Sequence, residues 1–469
     1  MTDFKVTTHL PIFTTSLAAD EITPEAAVKY IQLHDRELEH LGKLERYYAT
    51  QHDILNRKRS DPKLPNNQIV ASYPKYIADF SSAYLMGTPV KYSAPEGVDI
   101  TPLTDTLKKA DSPTQDCCLA LDGSIFGRSY EMVYVNADAE VKLAKLLPLN
   151  AFVVYDQTVE QLPVFAVHYF PTYDDNGCVS GYLGSLCTAS YTQEIRLTQS
   201  KTLASFGEPV DHYFGKVPIN EIYNNDQRFG DFEHIISLID AYDILQSDRV
   251  NDKEQFVDAL LVIRGAVLGD DDEESTEAYK ALKDQGVMVL PDKDSGAAYL
   301  TRQFDESSVE VLKNSIVSDI HKLSYVPDMS DDSFAGNVSG VAMKYKLLML
   351  EAQAKIKERY FAEGLRYRLE CIENFLLAAG AAAIDTSQIM MKFERSLPVN
   401  MQESAQTASL LTGVVSKQTQ IEQLPFVEDV EAELGRIAKE QQEAVKQQAA
   451  IQQAMMQKIM NTNIRDTDI

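Results

Sequence analysis

Few residues in this chain combine the types and spacings that chemistry needs. His34-x-x-Glu37-x-x-His40 sets three residues of metal-ligand type three apart on a predicted helix. Metal-binding helices offer ligands at i and i+3 or i+4, with a third from elsewhere. A partly exposed amphipathic helix therefore explains the triplet without a metal. The acidic run Asp270, Asp271, Asp272, Glu273 and Glu274 suits either a divalent cation or a solvated loop. Asp331-Asp332 suggests a nuclease pair, but adjacent carboxylates in a Gly/Ser-rich loop lack the rigid placement of two-metal chemistry. No nucleotide-binding loop, H-E-x-x-H or G-x-S-x-G is present, and eight His give no triad. The chain is expected to be no enzyme and to need no cofactor or metal.

The stretch that needs positioning is a loop and the helix it feeds. Ser324 to Gly340 reads SYVPDMSDDSFAGNVSG, with one Pro, two Gly, three Asp, one Asn and four Ser. That composition favours turns and local side-chain bonding. A helix is predicted from Gly340 to Leu377, with Ser339 as N-cap and Gly380 as stop, spanning roughly 57 Å. Val341, Tyr345, Leu348, Ala352 and Ile356 form one apolar line on it. A long polar loop inside a compact region is commonly functional.

Composition narrows the class. At 469 residues, 44% hydrophobic and 24% charged, two to four domains with buried cores are expected. The net charge of −26 excludes an ordinary DNA-wrapping protein; a nucleic acid partner would be passed along, not gripped. Cys117, Cys118, Cys178, Cys187 and Cys371 are odd in number and lack C-x-x-C, so they read as reduced, mostly buried thiols. The opening MTDFKVTTHLPIF lacks a signal-peptide pattern, and the longest apolar run, Phe375 to Ile384, is too short for a bilayer. A soluble, intracellular chain with no membrane partner is expected.

In chain order, residues 1–23 read as an extended or poorly ordered arm. Thr23-Pro24 caps a helix carrying Val28, Ile31, Leu38, Leu41 and Leu44 on one side. A second helix is predicted from Asn67 to Met86, and another region of helix from Thr101 to Phe126. Alternating, aromatic-rich segments between Val90 and Gln199 suit an antiparallel sheet, making the first half α+β. Asp231 to Val262 reads as a long helix with eight acidic and two basic residues, roughly 48 Å in length. Its apolar stripe is Phe232, Ile235, Ile239, Tyr242 and Leu245, then Phe256 and Leu260. The βαββ-like module that follows is too small to be stable without neighbours. A helix returns to Tyr325. IMMKFERSLP, Ile389 to Pro398, reads as a strand expected to rejoin the first sheet. Met401 to Val415 and Glu428 to about Met456 read as helices.

NNQIVASYPKYIADFSSAYLMGTPVKYSAPE, Asn66 to Glu96, and YVPDMSDDSFAGNVSGVAMKYKLLMLE, Tyr325 to Glu351, resemble recurring signatures of tailed-bacteriophage portal proteins. The branch they resemble infects Gram-positive hosts and has long tails. The order of elements matches over nearly the whole chain, least over 1–23 and beyond about 415.

The resemblance implies an α+β portal fold in a ring of twelve at a capsid vertex of the virion, assembled in the host cytoplasm, with double-stranded DNA passing through it. Residues 1–230 and 341–400 would form the wing, 231–262 and 307–325 the stem helices, 263–306 the clip and 326–340 the tunnel loop. Residues 401–469 would form the crown and tail. Asp328, Met329, Ser330, Asp331, Asp332, Ser333, Phe334, Asn337 and Ser339 would face the DNA, hinged at Pro327 and Gly340. Lys344 and Lys346 are placed as phosphate contacts or, equally, as solvated or intersubunit ion-pair residues. Asp270 to Glu274 would face a head–tail adaptor. Terminase, major capsid and scaffolding proteins are the other implied partners. Two other classes stay open on the residues alone: a helical scaffold or adaptor protein without DNA passage, and a metal-dependent nuclease.

Overall fold

The computed structural model describes residues 12–62, 64–256, 260–264, 296–300, 306–329, 345–395, 401–424, 427 and 430–465. The chain forms two compact units, one of residues 1–334 and 345–396, the other of 335–344 and 397–469.

The first unit is built on a seven-stranded sheet. Its path runs β1 (Phe13–Thr15), β5 (Ala151–Asp156), β6 (Pro163–Tyr173), β7 (Val179–Thr188), β8 (Tyr191–Thr198) and β10 (Val210–Asp211), with β9 (Leu203–Phe206) also paired to β8. Neighbours are antiparallel except β1, which joins β5 in parallel. The arm read as extended or poorly ordered is extended at Phe13–Thr15, where it contributes an edge strand. Helix α1 (Pro24–His34) covers this sheet, burying Val28 and Ile31 against Phe13, Phe152, Phe165 and Ile195. Thr23 caps it, its hydroxyl accepting the Ala26 amide at 3.3 Å.

A second layer holds β11 (Ile219–Tyr223), β3 (Arg128–Val135) and β4 (Val141–Leu146) in antiparallel order. Helix α2 (Leu38–Tyr48) and α3 (Tyr73–Met86) precede this layer in sequence. Helices α4 (Thr101–Lys109) and α5 (Ser112–Phe126) pack near it. The predicted helix over 101–126 is therefore two, parted at Asp111, whose φ of 52° lies outside the helical region. The first predicted helix also breaks. Residues 35–37 turn through three-residue backbone bonds so that Glu37 reaches Arg128. At the end of α5, Gly127 has φ +77°, and a Cβ there would stand 1.8 Å from the Arg228 carbonyl oxygen. Only glycine fits.

Helix α6 (Ile236–Phe256) follows a short 3₁₀ turn, Glu233–Ile235. Leu260 to Val262 belong to strand β12 (Leu260–Arg264), which pairs antiparallel with β13 (Gly296–Leu300), not to the helix. Helix α7 (Glu306–Ser324) returns antiparallel to α6: Arg249 binds Glu306 and Glu310, and His234 donates to the Leu323 carbonyl at 2.9 Å. The long helix α8 (Leu348–Ala378) stops before Gly380, which takes φ +88° as a stop glycine should. The Val341 end of its predicted apolar line lies outside the described residues. Tyr345, Leu348 and Ile356 on that line face outward; the buried line is Leu347, Leu350, Ala354, Lys357 and Phe361. Strand β14 (Met390–Lys392) pairs with β2 (Lys91–Ser93) as a separate two-stranded ribbon and does not rejoin the large sheet.

In the second unit α9 (Met401–Leu410) is shorter than predicted, and α10 (Lys417–Glu422) is capped by Ser416. Helix α11 (Val430–Arg465) runs past the predicted end near Met456. Only Cys187 and Cys371 are buried, each thiol pushed up to about 12 by burial; Cys117 and Cys178 are exposed and Cys118 is half-buried, against the expectation of mostly buried thiols. Among the described residues no helix is long and apolar enough to cross a membrane.

Candidate functional site

The root of the polar loop is held by side chains from two helices. Helix α7 ends at Ser324, and Tyr325 takes φ +61°, turning the chain sharply. Val326 is then fully buried. Its carbonyl accepts from His321 Nδ1 at 3.0 Å. The next carbonyl, of Pro327, accepts from the Tyr76 hydroxyl at 2.8 Å, and that hydroxyl in turn accepts the Met329 amide at 3.4 Å. The His321 ring meets Tyr73 and Tyr76 edge-on, both at 5.9 Å between centroids. Its Nε2 lies 3.9 Å from an Asp328 carboxylate oxygen. An open cleft of about 810 Å³ adjoins this cluster, lined by Tyr73, Tyr76, Tyr242, His321, Asp328 and Met329.

Of the predicted DNA-facing residues, Asp328 is half-buried and Met329 exposed at this root. Pro327, expected as a hinge, has its carbonyl tied to α3. Ser330, Asp331, Asp332, Ser333, Phe334, Asn337, Ser339, Gly340 and Lys344 lie outside the described residues, as do Asp270 to Glu274. Lys346 is half-buried beside the start of α8.

The metal-like triplet is dispersed. His34 Nε2 donates to the Pro148 carbonyl at 2.9 Å, so Nδ1 accepts from the Tyr169 hydroxyl, also at 2.9 Å. Burial, with Arg128 and Lys201 nearby, pushes His34 down to about 3. Glu37 binds Arg128 at 2.5 Å, and His40 meets Glu233 at 2.9 Å. Each residue serves a different neighbour.

What the sequence reading missed is the way α6 is held. Its apolar stripe stops at Ile239, and the buried line continues as Asp243, Ser247 and Asn251, all fully buried; Tyr242 and Leu245 are half-exposed instead. Residues 67–71, predicted as helix, run extended along this line. Asn67 donates to Asn251 at 2.7 Å, Ile69 to Ser247 at 2.9 Å and Ala71 to Asp243 at 2.9 Å, all from backbone amides. The second Asp243 oxygen accepts from His52 Nδ1 at 2.6 Å. A polar D-x-x-x-S-x-x-x-N line at helical spacing was the available signal.

Behind α6 and α8 the first unit is cross-braced by buried ion pairs. Arg368 of α8 is fully buried and holds Glu131 at 2.7 Å and Asp116 at 2.6 Å. Burial opposes its charge, but Asp116 and Glu131 hold the guanidinium well above its ordinary range. Lys357 binds Asp231, at the start of the stretch leading into α6. These braces stiffen the frame to which the root of the loop is attached.

The family described as Phage portal protein, SPP1 Gp6-like, matches residues 28–447. The portal protein of Bacillus phage SPP1 is 24% identical over 439 residues, covering 90% of this chain and 84% of the relative. That of Clostridium phage phiCD119 is 21% identical over 430 residues, covering 82% and 89%. A chain in the neck of an empty gene transfer agent particle overlays with a TM-score of 0.46 at 13% identity, covering 82% of this chain and 94% of that one. One in the native gene transfer agent virion gives 0.45 at 12%, covering 82% and 93%. With a family match that runs from within α1 to the middle of α11, this chain belongs to the phage portal proteins of the SPP1 Gp6-like family.

Proposed function

We infer that this protein forms the portal of a tailed phage: a channel at one capsid vertex through which DNA is packaged and ejected and to which the head–tail connector docks. The observation that carries this is the family match over residues 28–447. A ring of copies, with twelve as the expected number, encloses the duplex. Residues 231–262 and 307–325 are its stem, 263–306 the clip, 326–340 the tunnel loop, and residues beyond 401 the crown. Ile244, Val311 and Leu312 on the α6–α7 pair stay 46, 70 and 52% exposed, which favours burial against a neighbouring copy.

The mechanism follows from charge. Twelve copies of a chain of net charge −26 carry about −300 formal charges, so the wall repels phosphates and counterions screen the remainder. The duplex slides rather than binds. Residues Asp328 to Ser339 encircle it, with Lys344 and Lys346 as local phosphate contacts. Packaging force comes from a separate terminase, and Asp270 to Glu274 dock the adaptor. Major capsid and scaffolding proteins contact the ring during assembly, which takes place in the host cytoplasm.

Light scattering of the purified chain tests the ring, and a stable monomer or dimer at all salt and protein concentrations rejects it. Deleting residues within Met329 to Asn337 is expected to leave rings intact and empty the capsids of DNA. Full capsids from that variant reject the loop's role. Neutralising Asp270 to Glu274 is expected to impair tail joining more than packaging; normal tail joining rejects the adaptor assignment.

A further inference from the structure

Helix α3 bonds the chain at two points that flank the polar loop, its root at Pro327 and Met329 and, past its end, Glu351 in α8; these are its two feet. On one side, the Tyr76 hydroxyl donates to the Pro327 carbonyl at 2.8 Å and accepts the Met329 amide at 3.4 Å. Two turns further on, the Tyr84 hydroxyl donates to Glu351 Oε2 at 2.8 Å, in the first turn of α8. The same Glu351 oxygen accepts from Arg395 Nε at 3.0 Å, while Arg395 Nη2 reaches Glu358 at 2.6 Å. The Arg395 guanidinium also stands over the Tyr84 ring, 5.8 Å from its centre. Tyr76 and Tyr84 are eight residues apart, about 12 Å along the helix axis.

The helix between them is fixed. Ile77, Ala78, Ser81 and Ser82 are all buried, as are Leu85 and Met86 just beyond Tyr84, and α3 packs on α5 and α8. Its preceding residues are stitched to α6 through Asn67, Ile69 and Ala71. A rigid element that bonds both feet sets where those feet stand, whatever the chain between them does.

We propose that α3 is a bracket for the channel loop, with Tyr76 and Tyr84 as positioning residues that hold its two feet at a set separation. The geometry stands by itself; its consequence for DNA rests on the channel reading above. One foot is a hydroxyl between a carbonyl and an amide, and the other a hydroxyl on an ion-paired carboxylate. Each is lost with a single oxygen atom. The ring of each tyrosine, which does the packing, stays in a phenylalanine.

The test uses the full-length protein and particles assembled with it. Tyr76→Phe is expected to speed hydrogen exchange at the Met329 amide by roughly tenfold, since one hydrogen bond is removed, without changing exchange in α3 or the large sheet. Tyr76→Phe, Tyr84→Phe and Glu351→Ala are expected to assemble as wild type yet package less DNA per particle. Glu351→Gln keeps an acceptor for Tyr84 and should retain most of the filling, which a role in stability alone would not separate from Glu351→Ala. Unchanged exchange at Met329 overturns the bracket, as does normal filling by the Tyr76→Phe, Tyr84→Phe pair. If capsids fill without this protein at all, the channel reading fails, and the exchange measurement still decides the bracket. Should one tyrosine variant not fold, the Glu351 pair carries the second foot independently.

Discussion

Asn251 accepts both N–H groups of Asn67 on one buried oxygen, the backbone amide at 2.7 Å and the side-chain amide at 3.0 Å. It is the last of three such contacts, and their spacing explains why an extended strap fits a helix here. Asn67, Ile69 and Ala71 step by two residues, about 6.6 Å per step in extended chain. Asn251, Ser247 and Asp243 step by four, about 6 Å per step along α6. The near-match lets each strap amide meet one side chain. Each buried polar group is satisfied by the other element.

This seam predicts an inverted hydrophobicity rule on α6. Asn251→Leu or Ser247→Val, although more apolar, should destabilise the subunit by about 1 to 2 kcal/mol, because each leaves a half-buried strap amide without that partner. Ile244→Ser, which removes an exposed apolar side chain, should change subunit stability by less than about 0.5 kcal/mol. Denaturant unfolding of the isolated subunit compares the three directly. If the polar-to-apolar changes are neutral, the seam does not hold the helix.

The seam also marks where the sequence stopped being informative. Strands β3 and β5 to β8 were legible because alternation and aromatic content are local signals. The polar line Asp243, Ser247 and Asn251 was visible too, but its partner reads locally as the start of a helix, and it is bonds to α6 and to Arg57 that hold residues 67–71 out of one. Along α8 two lines share one period. Leu348, Ala352 and Ile356 were as plausible a core face as Leu350, Ala354 and Phe361, and tertiary packing alone chose the second. The loop is read from its Pro, Gly and Ser alone. Its attachment to Tyr76, some 250 residues earlier, left no local trace.

Arg368 gives a second prediction. It is fully buried with Glu131 on two nitrogens and Asp116 on one of them. Removing the cation strands two carboxylates, so Arg368→Ala should cost roughly 3 to 5 kcal/mol. Arg368→Lys should recover little, because an ammonium cannot span both carboxylates in the planar geometry. The triple change Arg368→Met, Glu131→Leu, Asp116→Leu should recover most of the loss, since no charge then remains buried. Thermal unfolding ranks these variants; a triple variant no better than Arg368→Ala would point to packing and not charge.

His34 sets an acid limit on the first unit. Its folded value is pushed down to about 3 by burial, while the unfolded chain titrates near the usual 6.5. Between those values the unfolded state binds the proton and the folded state does not, so stability is full above about pH 6.5 and falls as pH drops toward 3. At pH 5 the loss from this residue is about 2 kcal/mol, one and a half pH units of differential binding. His34→Gln keeps a donor and an acceptor and should be less stable at pH 7, yet lose less on going to pH 5. Parallel pH profiles for the two proteins would remove His34 as the cause.

Gly364 lies in the middle of α8, where glycine ordinarily weakens a helix. Here α8 lies directly on β11: a Cβ at 364 would stand 2.5 Å from Ile222 Cγ1 and 3.1 Å from its Cδ1, while the Gly364 carbonyl accepts from Asn220 at 2.8 Å. Close approach of helix to strand, not flexibility, is what the glycine allows. Gly364→Ala should therefore cost about 1 to 3 kcal/mol despite its better helix propensity. Ile222→Ala alone should cost about 2 to 5 kcal/mol through the cavity it leaves. In the double variant the new methyl occupies part of that cavity, so the combined cost should fall short of the sum by at least about 1 kcal/mol. Simple additivity in denaturant unfolding would mean that the two residues do not meet, and that the helix needs its glycine for another reason.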